Sequence, residues 1–81
     1  MENRVALIGI VVENEQAIAE LNAILHQYRQ WIIGRMGLPY QKRDISIISV
    51  AVDAPQDVIS AISGKLGGLR GISTKTLYSK L

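Results

Sequence analysis

Cysteine is absent from the 81 residues. That excludes a disulfide, a thiolate nucleophile and any cysteine-ligated metal, and it fits a reducing compartment. Histidine occurs once, as His26. Long apolar runs are missing too. The run at 6–12 is among the longest, far short of the roughly 20 residues that a membrane helix needs. The first residues make a poor secretory signal, because Glu2 offsets Arg4 and no small-residue cleavage pattern follows the apolar run. A cytoplasmic protein that does not enter a membrane is expected. An excess of one charge is also lacking. Nine Lys/Arg stand against seven Asp/Glu, a formal +2, and the basic residues are scattered. There is no basic tail and no dense stripe, so the charge speaks for solubility and says little about nucleic acid.

What the chain does have is β-rich apolar sequence on a one-domain scale, expected to span 1–81. The stretch at 4–13 is rich in Val and Ile and reads as a strand. Ala6, Ile8, Ile10 and Val12 fall on one side, and Val5, Leu7, Gly9 and Val11 on the other. Both sides are apolar. Gly9 weakens a strand unless something packs closely against it. Asn14 offers an N-cap with Glu15 in the first turn. The apolar spacing then becomes helical at Ile18, Leu21, Leu25 and Tyr28, which predicts a helix over 15–28. A second strand is expected at 29–37, with Pro39 and the polar residues Gln41 to Asp44 in a turn at 38–44.

The third strand, ISIISVAV at 45–52, again has no polar side. Ile45, Ile47, Ser49 and Ala51 alternate with Ser46, Ile48, Val50 and Val52. A second helix is expected from Asp53, with Gln56 completing a capping box and Pro55 in the first turn. Its buried stripe is Val58, Ile59, Ile62, Leu66 and Leu69, and Gly67 and Gly68 stop it. Residues 72–80 form a fourth strand.

The order is β-α-β-β-α-β. Two right-handed crossovers put both helices on one face of a four-stranded antiparallel sheet with strand order 4-1-3-2. The fold class is α+β, a ferredoxin-like sandwich. Strands one and three are then central, and they are the two strands that are apolar on both sides. No remaining segment covers the second sheet face. A contiguous apolar patch of that kind marks an interface. The expected contact residues are Val5, Leu7, Gly9, Val11, Ile45, Ile47, Ser49 and Ala51, and the expected partner is a second copy. A two-fold homodimer with sheets packed face to face is the first geometry. Pairing of strand edges is the second, and the two together build a tetramer.

Groups that carry chemistry are few. His26 lies beside the apolar stripe of the first helix, and nothing in the spacing gives it co-ligands for a metal. The serines have no base near in sequence. Glu13 and Glu15 point different ways if a helix begins between them, which is weak ground for acid–base work. No enzyme activity, metal or cofactor is expected. Gly64, Gly67, Gly68 and Gly71 follow a helix rather than precede one, and no P-loop Lys-Ser/Thr pair follows them. One site type survives. Glu13, Asn14, Glu15 and Gln16 join a central strand to a helix amino end, where free N–H groups can hold the carboxylate or phosphate of a small-molecule effector. The two glutamates oppose an anion there unless a basic residue reaches in. Direct nucleic-acid binding is disfavoured. Trp31, Tyr40 and Tyr78 are available for stacking, with Lys75 or Arg35 for phosphates, but the central strands carry no aromatic residue.

The segments RVALIGIVVE, WIIGRMG, ISIISVAVD and GISTKTLYSK together resemble a family of small bacterial regulators of the iron-only hydrogenase system. That family is in turn similar to ACT domains and to the ligand-binding domain of the nickel-responsive repressor. The resemblance implies an ACT-like fold, an oligomer, and a regulatory or sensing role in transcription. It does not carry nickel sensing over, because that domain uses several histidines and a cysteine. ACT domains often place a glycine at the first strand–helix junction, where this chain has Glu13-Asn14. The expected function is a regulatory or small-ligand-sensing oligomeric module. The alternative is a structural protein–protein interaction module without a small-molecule ligand.

Overall fold

The computed structural model describes residues 2–80. Among them the chain forms strand β1 (Asn3–Val12), helix α1 (Ile18–Gln27), strand β2 (Ile32–Tyr40), strand β3 (Ile45–Pro55), helix α2 (Gln56–Gly67) and strand β4 (Ile72–Tyr78). The strands make one antiparallel sheet in the order β2-β3-β1-β4, the ferredoxin-like arrangement expected from the sequence. The core lies between the sheet and the two helices. Ala6, Ile8, Ile10 and Val12 of β1 and Ile48, Val50, Val52 and Ala54 of β3 are buried. They meet Leu21 and Leu25 of α1 and Ile59, Ile62 and Leu66 of α2. Each fully buried aliphatic side chain contributes roughly 1.5–3 kcal/mol. The strict alternation of β1 and β3 thus assigns one set of side chains to the helices and leaves the other on the open face.

Three boundaries differ most from the sequence reading. The segment at 29–31 is a 3-10 turn, Arg29–Trp31, not strand. Trp31 N–H donates to the Tyr28 carbonyl at 2.9 Å, and its indole packs against the core. At the other end β2 runs on through Leu38, Pro39 and Tyr40, which the sequence assigns to a turn. Proline is tolerated because β2 is an edge strand, where its missing N–H breaks no ladder. The turn contracts to Gln41–Arg43, closed by Asp44 in the left-handed region at φ 59°.

The third difference is at α2. Asp53 does not cap the helix; it stays in β3, paired with Val5 on β1. The β1–β3 ladder extends as far as Asn3 opposite Pro55, and those backbone bonds outcompete an earlier helix start. Pro55 is the residue before the first turn, and it supplies no side-chain cap. Gln56, the other half of the expected capping box, instead accepts a hydrogen bond from Arg4 Nη1 at 2.9 Å. The same guanidinium lies 4.2 Å from the centre of the Tyr78 ring, so one arginine fastens β1 to both α2 and β4.

The expected helix over 15–28 begins with a 3-10 turn, Glu15–Ala17, before α1 proper. At its far end Lys65 Nζ of α2 sits 5.0 Å from the centre of the Tyr28 ring, a contact between the two helices. No helix among the described residues is long and apolar enough to cross a membrane.

Candidate functional site

Two features carry functional information: a cleft at the β1–α1 junction and the uncovered face of the sheet. The cleft forms because β4 pairs with β1 at Ile72 opposite Val12. That pairing carries the chain before β4 against the turn after β1. Glu13 N–H donates to the Gly71 carbonyl at 2.7 Å. Asn14 Nδ2 reaches the Arg70 carbonyl at 3.4 Å, and Asn14 Oδ1 accepts from Gln16 N–H at 3.2 Å. The asparagine therefore caps the first turn, as its position predicts, and also ties it to the neighbouring loop. The resulting cavity of about 380 Å3 is lined by Asn14, Gln16, Ala17, Glu20, Gly68, Leu69 and Arg70.

Of the four loop residues singled out in the sequence, Asn14 and Gln16 line this cleft, and Glu13 and Glu15 are not among its walls. Glu13 contributes its backbone N–H to the loop tie instead. Sequence reasoning did not place Gly68, Leu69 and Arg70 at this site; it read Gly68 as part of a helix stop and Leu69 as part of the buried stripe. Arg70, a basic residue of the same chain, and the acidic Glu20 are both among the walls of the cleft. The strand order was the available signal: placing strand four beside strand one brings the loop before it to this junction.

Asn14→Ala removes both side-chain hydrogen bonds while leaving the strand ladders intact. Loss of an N-cap of this type costs about 1 kcal/mol. For a domain of this size that corresponds to a fall in melting temperature of roughly 4–8 °C, measurable by thermal denaturation followed by circular dichroism at fixed protein concentration.

The second feature is the sheet face opposite the helices. By register, β1 presents Val5, Leu7, Gly9 and Val11 there, and β3 presents Ile45, Ile47, Ser49 and Ala51. The eight residues form one contiguous patch. Val5, Leu7, Gly9 and Ile47 are exposed, and the other four are half-buried by their neighbours. The edge strands widen the patch beyond the sequence reading, with Met36, Leu38 and Tyr40 from β2 and Leu77 from β4. Seven large apolar side chains on this face are exposed by 42–75 %. Leu38 and Tyr40 were hidden from the sequence reading by the misplaced end of strand two, which was expected to stop at 37.

The aromatic residues considered for base stacking do not gather. Trp31 packs on the core, Tyr78 lies under Arg4 on the helix side, and Tyr40 is on the open face. His26 lines a separate shallow cavity of about 320 Å3 with Asn22, Leu25, Arg29, Ile32 and Arg35. Among the described residues no three His, Cys, Asp or Glu side chains converge as metal ligands.

Residues 4–76 match the TM1266-like family, described as "Iron-only hydrogenase system regulator, putative". The chain belongs to this family. The match is to a regulator family rather than an enzyme family. A solved relative, the uncharacterized protein TM1266 from Thermotoga maritima, is 35% identical, with 98% of this chain and 100% of that chain covered and a TM-score of 0.93. A formyltetrahydrofolate deformylase from Pseudomonas putida KT2440 shares the fold at 9% identity, with a TM-score of 0.65 over 90% of this chain and 28% of that one. That likeness concerns the fold alone. No curated protein matches the chain.

Proposed function

We propose that the protein is a cytoplasmic, single-domain regulatory module that senses a small ligand and works as a homo-oligomer built on the uncovered face of its sheet. The apolar face carries this reading. Seven large side chains exposed in one patch offer several hundred Å2, the order of the ~800 Å2 per partner that a standard interface buries. Two copies related by a two-fold axis cover each other's patch with the same residues. Pairing of free strand edges would extend the dimer to a tetramer. The ligand site is the cleft at Asn14, Gln16, Glu20 and Arg70, where the arginine offers a cation to a carboxylate or phosphate. The family description supplies the regulated system, an iron-only hydrogenase. In this reading transcription is affected through a protein that contacts DNA, because the scattered basic residues offer no stripe for phosphates.

Sedimentation equilibrium of the wild-type protein is expected to give a dimer or tetramer at micromolar concentration, and a monomer there would overturn the oligomer. Thermal denaturation with common amino acids and with inorganic phosphate, each at millimolar concentration, is expected to raise the melting temperature for at least one probe by the linkage of binding to folding. Asn14→Ala and Arg70→Ala are expected to remove the rise. If no probe acts and one specific protein is retained on the immobilised chain, the protein–protein interaction module is the better description.

A further inference from the structure

Gly9 stands in the middle of β1, a central strand. Glycine there weakens the strand, because it adds backbone freedom to the unfolded chain and has no side chain to pack. The fold does not require it. Its φ is not in the left-handed region, which among the glycines only Gly71 occupies. A Cβ at Gly9 would meet just the Lys75 carbonyl oxygen, at 3.8 Å, an ordinary van der Waals contact. What the missing side chain does produce is a notch of about 340 Å3 in the open face, walled by Val11, Ile47, Ser49, Ser73 and Lys75.

We propose that this notch receives a long apolar side chain from the same face of a second copy, and so sets the register of the dimer. The proposal rests on the face-to-face reading and adds the contact that orients it. The candidates for the inserted side chain are on the page. Met36 and Leu77 are the most exposed large apolar side chains of the face, at 75% and 71%. Charge favours a second copy as the occupant. The charged side chains that the paired strands place on this face are Asp53 and Lys75, one of each sign, so two copies meet without net repulsion. In a two-fold contact each copy provides one notch and one inserted side chain.

The test is Gly9→Leu, compared with Leu7→Glu on the same face, by sedimentation equilibrium with circular dichroism as the check on folding. Because the added side chain points into open space, Gly9→Leu is expected to keep its secondary structure. It fills two notches per dimer, and at the usual penalty for overpacking its dissociation constant rises by about 100-fold. If Gly9→Leu does not fold, Gly9→Ala replaces it, with an expected rise of about tenfold. A glycine variant that dimerises as tightly as wild type while Leu7→Glu dissociates overturns the notch and leaves the face-to-face dimer standing. If Leu7→Glu also stays dimeric, the face-to-face reading falls, and the notch with it.

Discussion

Gly71→Ala is expected to lower the melting temperature by roughly 15 °C, the equivalent of about 3 kcal/mol for a domain of this size. Two effects add. Gly71 has φ +79°, and an L-residue in that region costs roughly 1–2 kcal/mol. Its Cβ would stand 2.5 Å from the Asn14 Cβ and 3.2 Å from the Asn14 nitrogen. The loop cannot yield without breaking the 2.7 Å bond from Glu13 N–H to the Gly71 carbonyl, and overpacking of this kind costs about 1–3 kcal/mol. The lesion is at the β1–α1 junction, so the ligand cleft is expected to be lost with it. Gly64→Ala is the control. Beyond its own helix backbone and chain neighbours, nothing lies within 4 Å of a Cβ there, the residue is inside α2, and up to about 1 kcal/mol of stabilisation is expected from helix propensity. Equal losses from both substitutions, measured at one protein concentration, would remove the case for a special role of Gly71.

Leu7→Glu is expected to convert the oligomer to a folded monomer. Leu7 is 43% exposed in the single chain, so a glutamate there keeps access to water and costs the monomer little. In a face-to-face dimer the same carboxylate is buried in the interface. An unpaired buried charge costs several kcal/mol. With two per dimer, the dissociation constant should rise by at least about a thousandfold. The expected record is a sedimentation profile of one chain with an unchanged far-ultraviolet circular dichroism spectrum. Loss of the spectrum together with the oligomer would mean that the leucine serves the fold of the single chain.

The sequence was most informative where periodicity and topology constrained each other. The alternation in β1 and β3 separated Ala6, Ile8 and Ile10 from Val5, Leu7 and Gly9 before any contact was known, since a period of two leaves no other assignment of faces. The helical stripe at Leu21 and Leu25, and that at Ile59, Ile62 and Leu66, named the other side of the core. The Asn14 cap was also readable, because it depends on a side chain reaching a backbone N–H two residues away. Element ends were less legible. Asp53-Ala54-Pro55-Gln56-Asp57 has the composition of a helix start, but ten paired positions between β1 and β3 hold its first residues in the sheet.

What the sequence by itself determined is the order of elements, the core, and an apolar surface larger than one chain's helices can cover. All of these follow from local spacing. Only the tertiary structure brought Arg70 to Asn14, extended β2 through Pro39 so that Leu38 and Tyr40 join the open face, and showed that the space beside Gly9 is empty. These depend on contacts between residues far apart in the chain, and such contacts are fixed by sheet pairing and chain crossing, which local spacing does not encode.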